Sequence, residues 1–417
     1  MSSGEGDAAK AAENAARRSY GKLVAFLAAR SRDVAAAEDA LSEAFAAALA
    51  TWPRTGAPDN PEAWLMTVAR RKLVDAARRR RAGDAARPGL QLASEEIHEA
   101  EDATLPDILP DRRLALMFAC AHPAIDESIR APLILQTVIG LAAPTIASAF
   151  LTSPAAMAKR LVRAKEKIRQ AGIPFALPDC ADMPERLGAV LDAIYAAFSE
   201  SWSDPMGADA ARRDLAAEAL FLGRLVAELM PDEPEALGLA SLMLHAEARR
   251  PARRTPEGAY IPFAEQDVAL WSADLLHEAE TLLRRAGAAR GVGRYELEAA
   301  LQAAHVHRRL SGRSNWESVV QLYDALYLLT GSTVVAINRA MAIAELNGPG
   351  PGLAALPDHA ADTRLEAYQP YWAARAELLA RADARAEAAA AYDMAIGLEA
   401  DPAVRNFLQA RKSRLFS

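Results

Sequence analysis

Residues 144–169, from Pro144 to Arg169, specify two helices on either side of a tight turn. Ile146, Ala147 and Phe150 give the first helix an inward face, and Thr152 and Ser153 form the turn. Pro154 takes the first position of the second helix, where its missing N–H costs nothing. Met157, Leu161, Ala164 and Ile168 then recur at helical spacing, which leaves Lys159, Arg160, Arg163, Lys165, Lys167 and Arg169 for the remaining surface. A short helix, a turn and a basic second helix form the layout of a helix-turn-helix, whose second helix enters the DNA major groove. The chain as a whole carries a net charge of −7, so the local excess of cations is not a by-product of composition. DNA is the first partner to expect.

The other segments repeat the helical period. Ala-, Leu-, Arg- and Glu-rich stretches favour helix and β-branched runs are scarce, so the predicted fold is all-α. With 417 residues there is room for several domains. Residues 1–17 are small and polar and are expected to be a disordered tail. In the segment 18–85, Asp33 caps a helix with Ala37, Leu41, Phe45, Ala48 and Trp52 inward and Glu38, Asp39 and Glu43 outward. Asn60 and Pro61 open the next helix, which buries Leu65, Val68, Ala69, Leu73 and Ala76. Its far end is basic, with Arg70, Arg71 and Lys72 followed by Arg78 and Arg79. Residues 86–110 form an acidic linker and 111–174 a second helical unit ending in the helix-turn-helix. From 181 to 417 the pattern is again helical. Trp372, Ala376, Leu379, Ala388, Tyr392 and Ala395 there approximate the spacings of a tetratricopeptide helix pair.

Catalytic and metal-binding patterns are missing. His98-Glu99 and His277-Glu278 each lack the second histidine of a zinc-protease helix, and there is no Gly-rich phosphate loop or nucleophile elbow. Cys120 with His122 reads as a packed helix end, and His305 and His307 as surface residues. The expectation is a non-enzyme without cofactor or metal. No apolar run reaches the roughly 20 residues of a membrane span, and Met1 to Arg18 lacks a signal-peptide core. A soluble, cytoplasmic chain without a membrane partner is expected.

Two blocks together resemble the sigma-70 family of the extracytoplasmic-function (ECF) type. Asp33-x4-Glu38-Asp39-x3-Glu43-x-Phe45, then Trp52 and Ala63-Trp64-Leu65-x3-Ala69-Arg70, is similar to that family's region 2. Ser153-x6-Arg160-Leu161-x-Arg163-Ala164-Lys165 is similar to the recognition helix of region 4. Leu114 to Pro123 and the long C-terminal segment resemble a subgroup with a tetratricopeptide-like extension. The resemblance implies that Glu38, Asp39 and Glu43 dock on the β′ clamp helices of core RNA polymerase, with region 4 at the β flap. It implies −10 promoter contacts by Arg70, Arg71, Lys72, Arg78 and Arg79. Ser153, Lys159, Arg160, Arg163 and Lys165 would meet the −35 element. An intramolecular contact between the extension and the sigma core would regulate the protein in cis. Arg71, Pro154 and Ala156 depart from residues common in the family at those places. The rival reading is a helix-turn-helix regulator with a helical sensor or interaction domain. It shares the basic helix but does not need Glu38-Asp39 on a preceding helix.

Overall fold

The computed structural model describes residues 3–83, 109–150, 152–175, 178, 182–201, 210–289, 291–359 and 362–416. The described residues contain 18 α-helices and no strand, with one isolated bridge between Arg254 and Tyr260. None of these helices is long and apolar enough to cross a membrane. The chain divides into two compact units, the first ending at Leu225 and the second running from Val226 to Ser417. The first unit therefore takes in residues beyond position 181, where the extension is expected to begin.

In the first unit, α1 (Ser3–Ser31), α2 (Val34–Thr55) and α3 (Pro61–Gly83) form a bundle around Leu23, Leu27, Leu41, Trp52 and Leu65. Helix α1 starts at Ser3, so residues 3–17 are helical where a disordered tail was expected. Alanine is the best helix former, and Ala12 and Ala15 are buried, so this stretch extends α1 instead of fraying. The acidic linker lies outside the described residues, except for its last two positions. They open α4 (Leu109–Cys120). Then come α5 (Glu127–Thr137), α6 (Ala143–Ala149), α7 (Pro154–Ala171) and α8 (Met183–Glu200). The first unit ends within α9 (Ala210–Leu229). From Arg113 to Cys120 every residue of α4 is buried, because α1, α5 and α8 enclose it. That enclosure explains a segment apolar on all sides. At its end the Cys120 thiol contacts the Thr137 hydroxyl at 3.4 Å, and burial pushes its pKa up to about 12. It stays a thiol at neutral pH.

The second unit is built on α10 (Pro234–Ala248), whose residues are buried nearly all round by α11 (Ala273–Ala288) and α12 (Arg294–Ser311). Helix pairs follow: α13 (Trp316–Thr330) with α14 (Thr333–Asn347), a short α15 (Pro349–Ala355), then α16 (Gln369–Arg381) with α17 (Arg385–Leu398), closed by α18 (Pro402–Ser413). Ala376, Tyr392, Ala395 and Leu408 make a common core, with Trp372 and Leu379 packed on it.

Gly238 sets how closely α10 approaches α12. A Cβ at this position would lie 2.5 Å from the Glu296 nitrogen and 2.7 Å from its Cα. Both are backbone atoms, which cannot swing aside. Alanine normally stabilises a helix interior by about 1 kcal/mol relative to glycine. Gly238→Ala is expected to reverse that sign, because overpacking against fixed backbone costs up to about 3 kcal/mol, which outweighs the propensity gain. A urea midpoint that rises in the variant would refute this close approach.

Candidate nucleic-acid and polymerase interfaces

Capping fixes where the candidate helices begin. Asp33 Oδ1 accepts the Ala36 N–H at 3.0 Å, Asn60 Oδ1 the Ala63 N–H at 3.0 Å, and Ser153 Oγ the Ala156 N–H at 3.2 Å. Each caps the helix expected from sequence. With those starts fixed, the apolar stripes decide which charges reach the surface.

On α2, Val34, Ala37, Leu41, Ala44, Ala48 and Trp52 are inward. Asp39 and Glu43 are exposed on the opposite side. Glu38 is not: it turns inward and accepts a hydrogen bond from the Lys165 ammonium of α7, with 13% and 11% of the two side chains exposed. Burial raises the Glu38 pKa, and Lys165 opposes the rise. The expected outward patch of three carboxylates is therefore two exposed groups and one buried ion pair.

On α3, Arg71, Arg78 and Arg79 are exposed. Lys72 pairs with Glu43 at 2.9 Å, and that contact holds the Glu43 carboxyl below the usual carboxylate range. Arg70 differs from expectation. Its guanidinium lies over the Phe26 ring of α1, 5.0 Å from the centroid, on the packed side of the helix. Trp64 packs edge-on against Trp52, with ring centroids 5.4 Å apart, and anchors α3 to α2.

On α7, Met157, Leu161, Ala164 and Ile168 are inward, and Gly172 ends the helix at φ 62°. Lys159, Arg163 and Lys167 are exposed and four residues apart, so they form one cationic row. Arg160 leaves that row, donates to the Ser128 hydroxyl and sits 4.0 Å from Asp126 at the start of α5. Ser153 is exposed, with its hydroxyl oxygen holding the helix start. Phe150 is 37% exposed, and only Ile146 and Ala147 of the three expected α6 packing residues are fully buried.

The charges expected on separate surfaces meet in one cleft. A cavity of about 530 Å³ is lined by Asp33, Asp39 and Glu43 of α2 and its cap, Lys72 and Arg79 of α3, and Lys165, Glu166 and Arg169 of α7. Glu166 and Arg169, absent from the sequence-based site, form a bidentate pair there at 2.6–3.0 Å. Their i, i+3 spacing is the signal that could have found them. Among the described residues no group of three or more His, Cys, Asp or Glu could hold a metal. The cleft walls carry both signs of charge.

Residues 16–83, the α1–α3 bundle and its capping loops, match the family Sigma-70 region 2. Residues 186–287, from α8 through most of α11, match a family of unknown function (DUF6596). An uncharacterized protein of Rhizobium meliloti (strain 1021) is 37% identical over 386 residues, which cover 92% of this chain and 91% of the relative. No solved structure matches the chain. A region 2 bundle at the N-terminus followed by that second family places the chain in the sigma-70 family, as an ECF-like factor with a C-terminal extension.

Proposed function

We propose that this sigma factor binds core RNA polymerase through α2, engages the −10 element with α3 and the −35 element with α7, and is regulated in cis by its extension. The region 2 match over the capped α2–α3 pair carries the reading. Asp39 and Glu43 give α2 its exposed acidic face for the β′ clamp helices, while Glu38 joins them only after leaving Lys165. Arg71, Lys72, Arg78 and Arg79 give α3 a positive edge for a melted strand, whose unstacking costs a few kcal/mol that capture must offset. On α7 the row Lys159, Arg163 and Lys167 faces the −35 duplex. Arg160 lies beside that row, hydrogen-bonded to Ser128 at the start of α5, and remains exposed enough to meet the same duplex. In the extension, the successive pairs α13–α14 and α16–α17 suit a tetratricopeptide-like scaffold that holds a protein surface.

Transcription in vitro with purified core polymerase tests this. The wild-type chain is expected to direct initiation from a promoter with paired −10 and −35 elements, with output falling steeply as salt rises. Lys159→Ala with Arg163→Ala is expected to lower −35-dependent output about 10-fold or more while polymerase capture persists, since each good base or phosphate contact contributes about 1–3 kcal/mol. Duplex binding with no capture of core polymerase would favour the helix-turn-helix regulator instead.

A further inference from the structure

Two independent contacts hold α5 and α7 shut against α1 and α2 within the first unit. The first is backbone on backbone. Gly21 of α1 lies so close to the chain just after α5 that a Cβ there would sit 1.9 Å from the Val138 carbonyl oxygen. Beside it, Gly140 holds φ +80° with the Tyr20 ring where its own Cβ would meet it at 3.1 Å. Only glycine permits both approaches. The second contact is the Lys165–Glu38 pair, which joins α7 to α2 across 127 positions of sequence and is nearly closed to solvent. Around it the cleft walls bring Arg169 and Glu166 of α7 towards Asp33, Asp39 and Glu43 of α2.

A buried pair of this kind does little for overall stability, because desolvation offsets the attraction, yet it strongly penalises any arrangement that leaves one partner buried alone. It therefore specifies one docking geometry. In that geometry a carboxylate proposed for polymerase and an ammonium proposed for DNA neutralise each other. We propose that the Lys165–Glu38 pair and the Gly21–Val138 approach form a latch, so that the free chain rests in a closed state which must open before α2 can seat fully on polymerase. The functional consequence rests on the reading of α2 given above; the latch itself does not. A closed state favoured by some factor lowers the apparent affinity for polymerase by that same factor.

The test measures conformation and binding separately on the full chain. Spin labels on Ala46→Cys and Ala158→Cys, in a Cys180→Ser background, report the distance between the exposed sides of α2 and α7. The parent is expected to give one narrow, short distance. Lys165→Glu places two carboxylates together and is expected to broaden and lengthen it. Adding Glu38→Lys reverses the pair and is expected to restore the short distance. Gly21→Ala opens the same interface from the other side without touching a charge, and circular dichroism of each variant checks that the helices persist. Core polymerase affinity is expected to rise about fivefold or more in Gly21→Ala. If folded Lys165→Glu and Gly21→Ala both keep the parental distance, the latch is overturned. If the distance opens but affinity for polymerase does not rise, the latch stands and the role given to α2 falls.

Discussion

Glu218→Ala is expected to destabilise the first unit by about 3 kcal/mol, the effect of stranding a buried guanidinium. Arg113, on α4, is only 3% exposed and forms an ion pair with Glu218 of α9. Its guanidinium also lies over the Phe221 ring, 5.0 Å from the centroid. Burial brings the Arg113 pKa down to about 10, so the charge remains at neutral pH and must be compensated where it stands. Its Nε has no hydrogen-bond partner among the described residues, so Glu218 carries most of that compensation. Removing the carboxylate leaves the desolvation cost intact and deletes the attraction. Removing both charges is different: Arg113→Met with Glu218→Ala is expected to recover stability to within about 1 kcal/mol of the parent, because only Arg113 is buried, Glu218 being 31% exposed, and an apolar side chain at 113 needs no compensating charge. A double-mutant cycle in urea reads the difference directly. If Glu218→Ala alone is neutral, α9 is not anchored to α4 by this pair. The pair ties the first half of α9, which belongs to the first unit, to α4.

What sequence revealed and what it hid differ by the range of the interaction. Asp33, Asn60 and Ser153 cap within three residues of themselves, so the starts of α2, α3 and α7 were legible from local chemistry. The stripes of Val34 to Trp52 and Met157 to Ile168 were equally legible, because a periodic pattern fixes which face is buried. It does not fix what covers that face. Three charged residues expected at the surface sit instead at the edge of such a stripe. Glu38 follows buried Ala37, Arg70 follows buried Ala69, and Lys165 follows buried Ala164. Each is also four residues beyond a buried Val34, Met66 or Leu161. Flanking positions go inward or outward according to the neighbour that arrives, and these neighbours come from α7, α1 and α2. The −10, −35 and polymerase assignments treated all positions off the stripe as equivalent, and that is where they diverged from the structure. Gly21 was a further signal. An isolated glycine inside a helical pattern points to a close approach, but not to the partner.

His305 makes the second unit sensitive to acid. Expected at the surface, it is mostly buried on α12, between the rings of Phe263 and Trp316, each with its centroid 5.8 Å away. Arg249 lies over Phe263 at 4.8 Å, Arg308 over Trp316 at 4.0 Å, and an Arg308 nitrogen comes within 3.5 Å of His305 Nδ1. Burial, followed by these two cations, pushes the imidazole down to about 4. Folding therefore favours the neutral ring, whereas the unfolded chain takes a proton near pH 6.5. The contribution is fully present above pH 6.5 and is lost as pH falls towards 4. Between pH 7.5 and 4.5 the linkage amounts to roughly 2–3 kcal/mol. His305→Phe keeps an aromatic ring between Phe263 and Trp316 and removes the titration. Its urea-unfolding free energy is expected to fall less than that of the parent over this interval, by about the same 2–3 kcal/mol. Carboxylates titrate identically in both proteins and cancel in the comparison. Parallel pH profiles for the two would mean that His305 is as accessible in the folded chain as in the unfolded one. In that case the ladder from Arg249 to Arg308 does not hold the second unit's helices in the arrangement described.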